Sequence, residues 1–209
     1  MRRIGMLICG VVVLTAVTVW AGVFDRRSLP EPKPGSASER DVAGVAAGPV
    51  TFDLVEPIFA SRCVHCHSGP QAPEGLRLDG YDSALDPRER AWIVPGYPMA
   101  SEVVRRIRGL ARPAMPLNQP SLPPEQIELI EAWILEGALS SQGVPAEVPV
   151  GARVRLNGTL TSMWSLDGLP LLVDGGTRID DSPTVGSYVE IRGVVQPDGA
   201  IRALRIKGP

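Results

Sequence analysis

The chain has 209 residues, 44% of them hydrophobic and 21% charged, a globular balance that excludes wholesale disorder and a multispanning membrane protein. Its 22 Gly and 21 Pro follow no Gly-X-Y period, which excludes collagen and assigns the excess to loops, linkers and short strands. A formal net charge of −2 argues against a dedicated nucleic-acid binder, and three cysteines are too few for a disulfide scaffold.

From Ile4 to Phe24 no charged residue interrupts the chain. As a helix this run would be about 31 Å long, close to the hydrocarbon thickness of a bilayer. It reads as an export segment, and its length together with the mediocre cleavage site at Val19-Trp20-Ala21 favours an uncleaved anchor over residues 1–24, a cleaved signal being the alternative. Two arginines flank it on each side, so charge does not orient it. Cys9 lies within the run and is expected to face lipid or to pack. Residues 25–50 carry Pro30, Pro32, Pro34, Gly35, Gly44 and Gly48 without periodicity, the composition of a flexible linker.

From Thr51 to Ser140 the apolar spacing is helical. Phe52, Val55, Ile58 and Phe59 mark a first helix, with Pro57 either starting its regular part or kinking it. A second helix is predicted after Ser101 as N-cap, through Val103, Val104, Ile107 and Leu110. A third starts at Pro123 or Pro124 and carries Ile127, Ile130 and Ile134, with Gly137 after it. Ninety residues with three short helices bury little core unless something large fills the middle. Beyond a linker at 141–149 the period changes to two: Val154 to Leu156, Leu169 to Val173, Tyr188 to Ile191, Val194-Val195 and Ile201 to Ile206 read as strands, with Asn157-Gly158 and Asp167-Gly168 among the turns. Residues 150–209 are therefore expected to form a small β-barrel. The fold class is multi-domain α plus β: a membrane helix, a small all-α domain and a small all-β barrel.

Both histidines of the protein and two of its cysteines fall in Cys63-Val64-His65-Cys66-His67. Thiols three residues apart on a helical turn emerge on one side, and an imidazole follows at once. That arrangement suits covalent haem attachment, with two thioethers to the vinyl groups and His67 on the iron. A zinc site would need further Cys or His ligands, and outside the cluster only Cys9 remains. A thioredoxin-like dithiol would follow a strand, whereas this pair ends an amphipathic helix. His65 has no evident task and is expected to face solvent.

With no histidine left, the sixth ligand is sought among Met99, Met115 and Met163. Met115 leads, because Pro113 and Pro116 stiffen its loop; an open or water-occupied position is the alternative, and a core gap-filler is the bland role for Met115. Met163 is expected to pack within the strand region. Trp92 and Tyr97 have polar tips that could reach haem propionates. Arg105, Arg106, Arg108 and Arg112 read equally as propionate partners, a docking patch or a solvated face, in a segment with eight basic and twelve acidic residues over 51–140.

The segment Thr51 to Leu139 resembles the small cytochrome c domains of planctomycete type and, more broadly, class I cytochromes c. The resemblance rests on Glu56-Pro57-Ile58-Phe59 with Arg62 before the Cys63 to His67 cluster, Gly75-Leu76-Arg77-Leu78-Asp79, Ile93-Val94-Pro95-Gly96 to Ser101, Met115-Pro116, and Leu129 to Ile134 with Gly137-Ala138. It implies one haem c with His67 and Met115 axial, a crossing of the first and last helices, and Trp133 packed near the haem. Residues 150–209 resemble small bacterial OB-like or related β-barrel domains of unknown function, a likeness carried mostly by turn chemistry and silent about function.

These observations lead to the expectation of a tethered electron carrier on the periplasmic side of a bacterial inner membrane, with a redox protein as partner and no nucleic acid. The rival readings are a haem enzyme or redox/gas sensor with an open coordination position, and an interaction module whose barrel docks a partner.

Overall fold

A computed structural model describes residues 48–208. The anchor expected over 1–24 and nearly all of the linker at 25–50 lie outside the described residues. Among the described residues no helix is long and apolar enough to cross a membrane. Val50, at the end of the expected linker, is buried in the helical core, and its N–H donates to Glu136 Oε2 at 2.7 Å.

Among the described residues three α-helices form where the apolar spacing predicts them, α1 (Phe52–Arg62), α3 (Glu102–Ile107, ending before the expected Leu110) and α4 (Pro124–Leu135), and the spacing does not predict the single turn α2 (Tyr81–Ala84). Pro57 sits inside α1 rather than at its start. The first and last helices pack together, with Phe52, Phe59 and Trp133 in mutual ring contact at 5.8–6.4 Å between centroids, and Phe52 N–H donates to Leu139 O. Gly137, at φ +98, ends α4 in the left-handed region that favours glycine. Ser101 precedes α3 but does not cap it through its side chain. Its Oγ instead accepts from Val94 N–H at 2.8 Å and donates to Tyr97 O at 3.0 Å, pinning the segment 92–97, with its turn at Pro95-Gly96, to the helix start.

The strand region contains β1 (Arg153–Ser162), β2 (Ser165–Leu166), β3 (Leu169–Leu172), β4 (Arg178–Asp180), β5 (Tyr188–Val195) and β6 (Ile201–Lys207). Pairings run β1–β2–β3–β6–β5 and back to β1, so five strands close into a barrel; β3–β6 is parallel, and β4 adds alongside β6. Closure removes the edges that a small open sheet would expose. Val154, Leu156, Leu160, Val189, Ile191, Ile201 and Ile206 alternate inward to fill it.

The strands depart from the sequence pattern at two places. Asn157-Gly158 is not a turn: β1 runs through it for ten residues. The pieces at 188–191 and 194–195 are one strand, β5, with Gly193 lying against the backbone of Arg202.

The segment 141–149 folds back on the end of α4, Ala146 N–H donating to Gly137 O. Helices and barrel belong to one compact unit. Ala91, Val94 and Ala100 of the helical segment join the barrel's apolar cluster, Ala91 N–H donates to Arg153 O, and the ring of Tyr97 covers Gly199 in the β5–β6 turn, where any side chain would overlap it.

At the centre of this contact stands Arg105. Its side chain is fully buried, with Nη2 paired to Asp167, Nε donating to Asn157 O and Nη1 to Met99 O. A buried guanidinium needs such complete pairing, because each ion taken out of water costs several kcal/mol before its partners offset it. Gly158 explains how it fits: a Cβ there would overlap both the guanidinium and the Asp167 carboxylate. The solvated-face and propionate readings therefore fail for Arg105.

Candidate functional site

α1 ends at Arg62, and the next residues continue a helical turn, with the N–H groups of Cys66 and His67 both directed to Cys63 O at 3.1 and 2.9 Å. Cys63 is half-buried and Cys66 exposed, both as free thiols. Burial pushes the Cys63 thiol up to about 11, against the lowering influence of Arg62, so it is protonated at neutral pH. The chain after His67 loops back on itself. Leu78 N–H donates to His67 O, and Asp79 accepts from Gly69 N–H at 2.9 Å and Ser83 Oγ at 2.8 Å, which holds its carboxyl at about 2.

The imidazole of His67 is oriented by this loop. Leu76 O, 3.3 Å from Nδ1, can only accept, so Nδ1 carries the proton and Nε2 keeps its lone pair. Burial lowers the pKa of His67, which favours that neutral form.

Cys63, Cys66 and His67 border a cavity of about 460 Å³, within the roughly 300–1,000 Å³ range of cofactor pockets. Its apolar walls are Phe59, Leu76, Leu78, Trp92, Val103, Ile107 and Ile130, drawn from the helical core itself. Met115 lines the same cavity. The structure thus brings together all four residues that the sequence nominated around the iron.

The loop bearing Met115 is held through Arg106. Met115 N–H donates to Arg106 O at 3.1 Å, and Arg106 Nη1 donates to Pro113 O at 3.1 Å. Arg106 Nε in turn donates to Glu102 at 3.0 Å. Glu102 is buried, and that burial raises its pKa against the opposing pull of Asn157 and Arg106. The barrel supplies the next links: Asn157 gives both its N–H and its side-chain amide to Glu102, and Tyr188 Oη accepts from Arg112 N–H at 2.6 Å.

Other nominated residues fall elsewhere. Trp92 lines the cavity under the guanidinium of Arg90, 3.8 Å from its ring centroid. Tyr97 does not, because its ring is committed to Gly199 of the barrel. Trp133 is fully buried behind Phe59, and its indole N–H donates to Leu139 O, so it supports the wall instead of forming it. Met99 offers only its carbonyl, to Arg105. Met163 is 68% exposed in the β1–β2 turn and packs nowhere. His65 stands exposed at the cavity mouth.

Sequence reasoning missed the barrel's share. Arg155, Asn157 and Glu190, on the outer face of β1 and β5, form part of the cavity lining. No local pattern announces this, since Asn157 and Glu190 meet only through strand register.

The residues present fit a haem. Two thiols, an imidazole with a free Nε2 and a thioether surround an apolar slot. Among the lining groups Arg62, Arg90, Arg106 and Arg155 face Glu74 and Glu190, a surplus of two positive charges that the two carboxylates of a haem would balance. Arg62 Nε is buried without a hydrogen-bond partner.

Residues 63–117 match the family model for planctomycete cytochrome C. The match opens on Cys63 and closes two residues beyond Met115, so it spans the nominated ligands. Residues 154–207 match a domain of unknown function (DUF5666). Neither match covers half of the chain, and no curated protein or solved structure matches it. The cytochrome c-like match at 63–117 is thus the one that carries a chemical indication, and the model matched by residues 154–207 describes a domain of unknown function.

Proposed function

We propose that this protein is a membrane-tethered, periplasmic c-type cytochrome that carries single electrons through one covalently attached haem. The observation that carries the reading is the apolar cavity bordered at once by Cys63, Cys66, His67 and Met115. A bound haem supplies a one-electron couple whose potential depends on axial ligands and burial. Cys63 and Cys66 would hold it covalently, while the Leu76 carbonyl fixes the direction of His67 and Arg106 fixes the Met115 loop. These backbone ties would limit the movement of both side chains between oxidation states of a bound haem. The walls of Phe59, Val103, Ile107 and Ile130 exclude water. The strand order β1–β2–β3–β6–β5 with one parallel pairing supports an OB-like reading of the barrel.

The test uses the full chain, because helices and barrel share contacts, expressed in an exporting host with haem-attachment machinery. Covalent low-spin haem with a methionine-to-ferric-iron charge-transfer band that disappears in Met115→Ala is the expected result. High-spin haem that binds carbon monoxide and ignores the substitution would sink the electron-carrier reading in favour of an open-site enzyme or sensor.

A further inference from the structure

The barrel has a balanced composition, seven Arg and Lys against six Asp and Glu over 150–209. Its topology unbalances them. Arg155 of β1 is register-paired with Arg192 of β5, Arg192 with Arg205 of β6, and Arg205 with Arg178 of β4, so four arginines stand in one row across four strands. Arg153 and Arg202 lie beside this row, each opposite Val194, and Lys207 ends β6. All seven cations of the region lie on these four strands.

The acids do not follow them. Asp167 is taken by Arg105, and Asp181 and Asp198 lie outside the strands. Of the barrel's acids, Glu190, Asp180 and Asp174 remain to pair with Arg192 and Arg155, with Arg178 and Arg205, and with Arg202, and Glu74 of the helical segment also reaches Arg155. Within the barrel three acids against seven cations leave a surplus of four, which Glu74 from the helical segment lowers to three. Like charges directly opposite on neighbouring strands are destabilising, so a row of four arginines carries a cost that an external anion would relieve. The existing pairs are largely solvent-exposed, worth about 0–1 kcal/mol each, and are readily exchanged for a partner's carboxylates.

The row also leads to the haem cavity. Between the 74–90 loop and the barrel lies a cleft of about 580 Å³ lined by Arg90, Arg153, Arg155, Arg192 and Arg205 against Glu74 and Glu89. Glu74, Arg90 and Arg155 line both this cleft and the haem cavity. Arg90 has its pKa lowered first by burial and then by repulsion from Arg155, the mark of positive charge crowded at the junction.

We infer that the outer face of β1, β5, β6 and β4, together with this cleft, is the docking surface for an acidic redox protein, which it brings to the edge of the haem cavity. This rests on the haem reading above. Continuity with the cavity favours a protein that exchanges electrons over a lipid surface, and the absence of aromatic side chains along the arginine row disfavours single-stranded nucleic acid. Steering by such a face raises encounter rates and fades with salt.

The test has two arms on the full chain. In the first, a fluorescent oligoglutamate peptide is titrated against wild type, Arg192→Glu/Arg202→Glu and Arg192→Lys/Arg202→Lys, with far-UV circular dichroism confirming the fold. Binding at low salt that weakens about tenfold or more in the Glu variant and survives in the Lys variant supports the surface. Equal binding by all three overturns it, as does tighter binding to phosphatidylserine vesicles or single-stranded DNA than to the peptide. In the second, the ferrous holoprotein is oxidised by ferricyanide, an anion, and by tris(phenanthroline)cobalt(III), a cation. The inference expects ferricyanide to slow several-fold in the Glu variant while the cobalt complex speeds up; no change in either overturns it. A chain that binds the peptide but carries no haem would refute the haem reading alone, since the first arm needs no haem.

Discussion

The helical segment over 51–140 and the shorter barrel over 150–209 solve the problem of a small core in opposite ways. The barrel closes on itself: its inward residues meet one another, and none of its fully buried apolar side chains borders the haem cavity. The helical core is built around a cavity. Phe59, Leu76, Leu78, Trp92, Val103, Ile107 and Ile130 belong both to the core and to the cavity wall. The comparison teaches that the two halves depend on different things, the barrel on strand pairing and the helices on whatever fills their centre.

The largest test of that contrast is Cys63→Ala/Cys66→Ala. Loss of covalent haem, read by denaturing gel with haem staining, is expected to be complete. Native-state hydrogen exchange should show protection falling in α1, α3 and α4 while β1, β5 and β6 keep theirs. Equal loss in both halves would erase the distinction.

Next comes the tie between them. Arg105→Met leaves Asp167 buried without its partner and should cost about 3–5 kcal/mol in denaturant unfolding. It should also split one transition into two, since the halves would then respond separately. Gly158→Ala attacks the same contact from the strand and is expected to shift the midpoint in the same direction.

A smaller effect is expected where the barrel braces the ligand loop. Tyr188→Phe removes the acceptor of Arg112 N–H, a bond worth about 0.5–1.5 kcal/mol. Overall stability should change little. The methionine-to-iron charge-transfer band should instead become easier to abolish with alkali or an exogenous ligand, and an unaltered band titration would show that the barrel does not reach the ligand.

The smallest concerns Asp79. Its carboxyl is held at about 2 by Gly69 N–H first and by Ser83 next, below the ordinary 3.8. A depressed acid favours the folded chain above its unfolded pKa, so this contribution is present above about pH 4 and disappears as the pH falls toward 2. Asp79→Asn should flatten that part of the stability profile for the helical half only; the group is exposed, so the change is slight.

What the sequence discloses follows from how local the cause is. The Cys63 to His67 cluster stands out in the sequence because its spacing falls within one turn, and Met115 because no histidine is left to compete; the structure brings all of them to one cavity. Strands with clean alternation, such as 201–206, declare themselves. Asn157-Gly158 misleads for a definite reason: the dipeptide suits a turn, but here glycine is needed so that an ion pair from a helix can lie against the strand. Arg105 likewise sits in a run of arginines that looks solvated, while its partner Asp167 is 62 positions away. Tyr97 was drawn to the barrel by a turn glycine a hundred residues on. Charge totals hid the arginine row altogether, because a sum over 60 residues carries no register.

Gly158 sets a condition on transplantation. The barrel cannot be moved to another helical partner as a self-contained part. Its first strand has an opening the size of one methyl group, which an arginine from the neighbouring segment occupies. A recipient without that arginine would leave Asp167 facing a hole, and a barrel with an alanine there would refuse the original helices. Exchange between related chains therefore has to move residues 105, 158 and 167 as a set.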